Sequence, residues 1–404
     1  MSALGILDLN DDCLYYLLSQ LTDEEQLSFT QVCQRFRQLF VARHGYKLRE
    51  FTLHTRSTRQ ELIALSICCE QVQQLTIDLD NSNALHTVAH SSNCCLNCFT
   101  VLCATLQRMW QLQRLVVQQL HFMTTPVPQP FEKILAAVRH LPHLQQLKLK
   151  ATNEWTCNNV QHLQHLEQLQ LHIQHNIEAD ILIKCCKASS RLRILDLGYG
   201  CVQRQLVNIV PHCAQLEILR FGMTAEATDY AKLAKLPKLR QLSHCGIRRS
   251  GCFVPLLQAL VAPQQLQLLE IDGGSLNMEE TLQLVRLRSL QQLKCFFSNA
   301  GCVAMLAHLK HLQQLSFWMT CQEDITQELL AVVAGCRQLQ VLRVAVARLS
   351  KYFLADVVQV REQQQQPLQL ELPQAAALEK HTSPLLTCLP FKAESWKISA
   401  IQSA

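Results

Sequence analysis

The chain is paced by a short pattern, apolar-x-x-apolar-x-apolar. It begins at Leu48, Val72, Leu112, Leu144, Leu166, Leu192, Leu216, Leu239, Leu266, Leu290, Leu312 and Leu339. Typical copies read Leu144-Gln-Gln-Leu147-Lys-Leu149 and Leu192-Arg-Ile-Leu195-Asp-Leu197. Across the twelve copies only His244 interrupts the three apolar slots, with Cys295 counted as apolar. The slot between the second and third apolar residues behaves oppositely and is polar in eleven of twelve copies, Val116 being the exception. Alternation over so few residues is the period of a strand with one buried face. Between the strands, apolar residues return at helical spacing. Phe131, Ile134, Leu135 and Val138 share one face, as do Leu206, Ile209, Val210 and Cys213.

Most successive starts lie 22 to 27 residues apart, with two longer gaps of 40 and 32. A strand followed by a helix at this period resembles the leucine-rich-repeat family, over residues 46–372. The cysteines before strands (Cys213, Cys336) or late in helices (Cys185, Cys186) are similar to those of its cysteine-containing subtype. The fold class implied is α/β: a leucine-rich-repeat solenoid of about 12–13 repeats, with parallel strands on a concave face and helices on a convex one. No repeat can bury its apolar face alone, so the stack is the folding unit. Leu368-Gln-Leu370-Glu-Leu372 supplies the thirteenth strand signal, after a glutamine run at 363–366 that reads as a helix end or loop. The long gaps mark insertions near residues 79–95 and 120–130, and Pro126, Pro128 and Pro130 make the second a predicted loop. Residues 373–404 lack the repeat signal and read as a cap or flexible tail.

The first 45 residues follow another logic. Asp11 and Asp12 are placed to cap a helix carrying Leu14, Leu17, Leu18 and Leu21, and Thr22-Asp23-Glu24-Glu25 has the form of a second helix start. Leu27, Phe29, Val32, Cys33, Phe36 and Leu39 follow. So short a helical segment cannot bury its own core and must dock on something. Three strings in it carry a family resemblance: Leu9-Asn10-Asp11-Asp12, Leu17-Leu18-Ser19-Gln20-Leu21 and Val32-Cys33-Gln34-Arg35-Phe36-Arg37-Gln38-Leu39. In order and spacing they resemble a small all-α F-box. Three positions depart from that pattern: Asn10 where proline is usual, Gln26 where an apolar residue is usual, and Phe36 where tryptophan is commonest.

An F-box ahead of leucine-rich repeats resembles the F-box/leucine-rich-repeat protein family. The resemblance implies the substrate-recognition subunit of an SCF-type (cullin-RING) E3 ubiquitin ligase. Leu9, Asn10, Leu17, Leu18 and Phe36 would bind the adaptor subunit, the adaptor would join the cullin, and the repeats would hold a protein substrate. The alternative is a leucine-rich-repeat protein-binding scaffold without a ubiquitin-ligase role.

Composition supports a large folded core, at 49% hydrophobic and 17% charged residues. The net charge of +5 is mild, and six acids with no base fall in the first thirty residues. No dense basic run interleaves with aromatics, so no nucleic-acid partner is expected. No apolar run approaches a membrane span, and Met1 to Leu14 lacks the basic start of a signal peptide. The twenty cysteines are therefore expected to be reduced, in a cytoplasmic or nuclear protein.

Candidate chemistry is sparse. No phosphate-binding glycine loop, nucleophile elbow or paired carboxylates appear, so neither catalytic residues nor cofactors are assigned. His86, His90, Cys94 or Cys95, and Cys98 have spacing that suits zinc. However, Leu96, Phe99, Leu102, Cys103 and Leu106 run at helical spacing through the same stretch, so these cysteines read equally as core or capping residues, and no metal is assigned. The pairs His140/His143, His162/His165 and His308/His311 each precede a strand in the same repeat position, as a structural consensus does. The target-binding expectation falls on outward strand positions: Lys148, Arg220, Glu270, Lys294 and Arg343, with Phe296 and Trp318 in equivalent slots on adjacent rungs. Lys150, Asp196 and Asp272 share that outward pattern. The competing reading of Phe296 and Trp318 is that they cover a neighbouring edge or the C-terminal tail.

Overall fold

The fold is described from a computed structural model, over residues 5–54, 57–78, 92–118, 129–150, 156–173, 177–201, 206–222, 227–245, 252–320, 323–345, 348–372 and 383–390. It divides into two compact units, one of residues 1–175 with 180–192 and one of residues 176–179 with 193–404. The zinc-type group at residues 86–98 and the prolines Pro126 and Pro128 lie outside the described side chains. Pro130 opens a helix, where its missing N–H costs nothing.

The first unit begins with three helices, α1 (Asp11–Gln20), α2 (Asp23–Phe29) and α3 (Gln34–His44). Asn10, not Asp11 or Asp12, caps α1: its Oδ1 accepts from the Cys13 amide at 2.9 Å. Where proline would fix the chain's entry by its ring, Asn10 does so with a hydrogen bond. Thr22 and Glu25 form the expected capping box on α2, and those Thr22 bonds hold the Glu25 carboxyl below its ordinary range. Leu14, Leu18, Leu27, Phe36, Leu39 and Phe40 make the core, with Phe29 stacked on Phe36 at 3.9 Å between ring centroids. This core does not end with the three helices. Cys68 belongs to it, and Ile63, Ala64 and Ile67 pack against it, all from α4 (Arg59–Cys68) of the first repeat.

From there the unit alternates strand and helix: β1 (Glu50–His54), α4, β2 (Gln74–Asp78), α5 (Ser92–Leu106), β3 (Arg114–Gln118), α6 (Pro130–Val138), β4 (Gln146–Lys150), β5 (Gln168–His172) and α7 (Ala179–Ala188). Strands β1 to β5 pair in parallel, and their register matches the sequence pattern slot for slot, as in Phe51↔Leu75, Leu75↔Leu115, Leu115↔Leu147 and Leu147↔Leu169. One carbonyl at each strand entry accepts two successive amides of the next repeat. Arg49 takes those of Gln73 and Gln74, and Gln73 takes those of Gln113 and Arg114.

The second unit continues the pattern: β6 (Ile194–Cys201), β7 (Ile218–Gly222), β8 (Gln241–His244), α8 (Val254–Val261), β9 (Leu268–Leu276), α9 (Met278–Leu284), β10 (Gln292–Phe297), α10 (Ala300–Met305), β11 (Gln314–Met319), α11 (Thr326–Gly335), β12 (Val341–Val344), α12 (Phe353–Gln364), β13 (Leu368–Leu372) and β14 (Leu386–Pro390). Neighbouring strands again pair in parallel. Of the expected face Leu206, Ile209, Val210 and Cys213, all but the half-buried Val210 are buried, but its segment (Leu206–His212) is a 3-10 helix rather than an α-helix, with Pro211 inside it. Proline removes a donor and blocks the preceding turn, so the short connection winds more tightly.

Two strands carry insertions the pattern does not predict. On β6, five positions separate Asp196 from Cys201 while two separate their partners Arg220 and Gly222. On β9, five separate Glu270 from Ser275 against two between Lys294 and Phe296. Gly198, at φ 56°, supplies the left-handed turn that the first bulge needs. The β9 bulge also breaks the in–out alternation. Asp272, expected to face outward, is buried.

At the far end of the unit the glutamine run closes α12, with Gln365 in the left-handed region. Within residues 373–404, β14 adds one more parallel strand to β13. Arg361 of α12 is fully buried. Its Nη1 donates to Gln364 Oε1 at 2.9 Å, while Nε and Nη2 have no partner.

Candidate interaction sites

The adaptor-binding expectation meets two different environments in the three-helix segment. Leu18 and Phe36 are interior, at 0% and 1% exposure. They hold the helices together and present no surface to a partner, which corrects their assignment as contact residues. Leu9 is half-buried against the same core. Asn10 is exposed, with its Oδ1 engaged in the cap. Leu17 is 38% exposed and keeps its place as a contact candidate. The sequence reading missed Ile6, Leu7, Tyr16 and Val32 on the same domain, all large apolar side chains at least 49% exposed. A signal existed. Leu14 and Leu18 make the buried stripe of α1, so an apolar Tyr16 in the same helix has to face away from it.

Arg35 positions the first part of this surface. Its Nε and Nη2 donate to Asp11 Oδ1 at 3.0 and 2.6 Å, Nη1 donates to the Leu7 carbonyl, and Nη2 also donates to that of Leu9. One guanidinium thereby clamps the segment carrying Ile6 and Leu7 onto α3. Gln26, the polar residue in an apolar slot, is buried. Its Nε2 donates to the Leu21 carbonyl at 2.8 Å and its Oε1 is unpartnered. It lines a cleft of about 480 Å³ between α2, α3 and α4, together with Asp23, Leu27, Phe40 and His44. Burial, then Lys47 and Arg43, lower the His44 pKa there, with Asp23 opposing.

The outward strand positions sort by partner. In the first unit Lys148 stands between Val116 and Gln170 in register and makes no hydrogen bond or ion pair among the described residues. In the second unit one row runs Asp196, Arg220, Ser243, Glu270, Lys294, Ser316, Arg343 and Glu371 across successive strands. Lys294 is paired with Glu270 at 2.5 Å, and Arg343 with Glu371 at 2.9 Å. Burial works to raise the Glu270 carboxyl, but Lys294 and Arg220 overcome it and the net shift is downward. These charges stabilise one another along the sheet. One row further along, Phe296 and Trp318 stack with centroids 6.1 Å apart at 27°, and both are half-buried.

The remaining candidates have structural roles or none. The six histidines of the His-x-x-His pairs are all exposed. Among the described residues no group of three His, Cys, Asp or Glu side chains is placed to hold a metal. Burial pushes the thiols of Cys68 and Cys157 up to about 12 and those of Cys245 and Cys336 to about 11. These cysteines are small core side chains, not nucleophiles. No helix of the described residues is long and apolar enough to cross a membrane.

Residues 6–47 match the family model of the F-box domain. No curated protein matches the sequence. Among solved structures, an internalin (inlF) from Listeria monocytogenes is similar at 12% identity and a TM-score of 0.39, over 71% of this chain and 82% of that one. That likeness is too loose to bear on function, and the repeat architecture rests on the strand register and period described above. The chain thus carries an F-box domain at its N-terminal end, followed by a leucine-rich-repeat solenoid.

Proposed function

We propose that this chain is the substrate-recognition subunit of an SCF-type (cullin-RING) E3 ubiquitin ligase. Its F-box binds the adaptor, the adaptor joins it to the cullin, and the repeats bind a target protein. The chain performs no chemistry itself, since a separate enzyme transfers ubiquitin to the target held nearby. A cytoplasmic or nuclear location belongs to the same reading. The observation that carries it is the F-box at residues 6–47 with Ile6, Leu7, Tyr16, Leu17 and Val32 exposed on its surface. Apolar side chains gathered on one small domain are what a docking partner would cover. The target-binding part rests on the outward row with Arg220, Glu270, Lys294 and Arg343, on Lys148, and on the stacked Phe296 and Trp318. Aromatic and arginine side chains dominate binding energy at interfaces.

The test is co-purification of the adaptor with full-length chain. Deleting residues 1–45 would strip α4 of the core it shares with the F-box, so point variants are cleaner. Leu17→Asp should weaken adaptor retention about tenfold or more at unchanged thermal stability. Leu18→Ala should instead destabilise the F-box by about 2–5 kcal/mol, because it opens a cavity. Wild-type chain that retains no adaptor would return the protein to a protein-binding scaffold.

A further inference from the structure

The row of charges on the second unit contains one cation, Arg220, that among the described residues has no carboxylate within ion-pair distance, Asp196 and Glu270 acting on it only from further away. Lys294 and Arg343 each bond a glutamate on an adjacent strand. Arg220 bonds a thiol: its Nε donates to Cys245 Sγ at 2.9 Å. Burial keeps that thiol protonated at neutral pH, so it holds the guanidinium in place without cancelling its charge. Among the described residues no carboxylate pairs with Arg220, and its Nη atoms make no hydrogen bond.

The surroundings define a site. Arg220 is half-buried on β7, where a guanidinium loses much of its water. The bulged strand β6 lies beside it, and the bulged strand β9 lies two strands away on the other side. Bulges re-aim side chains and end regular pairing, and they collect beside binding sites. An arginine fixed at Nε with both Nη groups open is arranged for two parallel hydrogen bonds to a planar anion. The nearby charges select which anion. Asp196 is its register partner on β6, and Glu270 stands two strands away, already bonded to Lys294. Both acids act on Arg220, so they would repel a phosphate of nearly two negative charges more strongly than a single carboxylate, which can still take the two open Nη groups.

Resting on the reading that the repeats capture a protein, we propose that Arg220 receives a single carboxylate of the bound protein segment. That carboxylate is either an Asp or Glu side chain or a free chain terminus.

The test screens full-length chain against arrays of synthetic 12-residue peptides made as matched sets: Glu against Gln, free C-terminus against amide, and phosphoserine at the same position. Wild-type chain should retain the carboxylate member roughly tenfold to a hundredfold better than its neutral partner. Whichever set shows the preference identifies the source of the carboxylate. Arg220→Gln should reduce the preference to near unity, and Arg220→Lys should keep part of it. Equal retention of acid and neutral members by wild type, no retained peptide at all, preference for phosphoserine over Glu, or a preference surviving in Arg220→Gln would each overturn the proposal. The acid-against-neutral comparison in wild type holds even if a variant folds poorly. Adaptor co-purification, measured on the same samples, should be unchanged by Arg220→Gln. Its loss in wild type would sink the ligase reading and leave this one standing.

Discussion

His244 is the residue that breaks the apolar rule of the repeat, and its burial makes the second unit sensitive to acid. It occupies the third apolar slot of β8 at 3% exposure. The ring lies edge-on between Phe221 and Phe253, with centroids 6.2 and 5.5 Å away. Nδ1 is 2.8 Å from the Asp272 carbonyl. A carbonyl only accepts, so Nδ1 carries the proton and donates it. Nε2 is buried with no partner. Burial lowers the His244 pKa to about 4, against the opposing pull of the Asp272 hydrogen bond. The unfolded chain binds a proton near the ordinary value of about 6.5. A folded pKa depressed in this way gives full stability above 6.5, and stability is lost as pH falls from there towards 4. At pH 5 the unfolded chain is almost fully protonated at this site and the folded chain is not, which amounts to about 2 kcal/mol lost relative to pH 7.5. His244→Asn keeps a donor for the Asp272 carbonyl and removes the titration. Urea unfolding of wild type and His244→Asn at pH 7.5 and pH 5 should show wild type losing about 2 kcal/mol more than the variant. Equal losses in the two proteins would refute the assignment, since every other titrating group is common to both.

Two further outcomes follow from packing. Arg361→Met removes a buried cation with two unpartnered nitrogens and keeps an unbranched side chain, so stability should rise by about 1–4 kcal/mol in chemical denaturation. A loss of stability would mean that the guanidinium is neutralised. Gly335→Ala in α11 would ordinarily favour a helix. Here the added Cβ would lie 2.5 Å from the Ala307 carbonyl oxygen, so the melting temperature should fall, by about 1–3 kcal/mol of stability. A rise would show that the helices separate freely.

Strand register was legible because the repeat fixes it twice, through period and through alternation. Leu147 aligns with Leu169, and Leu315 with Leu342, as the motif places them. The bulges on β6 and β9 escaped because their extra residues follow the motif, although the pairs Gly198/Gly200 and Gly273/Gly274 marked where the backbone would turn. Strand β14 was invisible for a different reason. It reads Leu386-Thr-Cys-Leu389-Pro390, without the motif, and needs only the open edge of β13. In the F-box, a family motif does not separate residues that build the domain from residues that touch its partner. Leu17 and Leu18 are neighbours in the chain, yet one faces solvent and the other the core. The roles of Arg35 and Arg220 depend on carbonyls and a sulfur brought close by folding, which no local pattern records.

The core that runs from Phe36 and Phe40 through to Cys68 has a practical consequence. This F-box is not an interchangeable cassette. A chimera cut at residue 45 would leave two raw apolar surfaces, one on the donor and one on the recipient. A boundary drawn after β2, at Asp78, carries α4 along and keeps the shared interior whole.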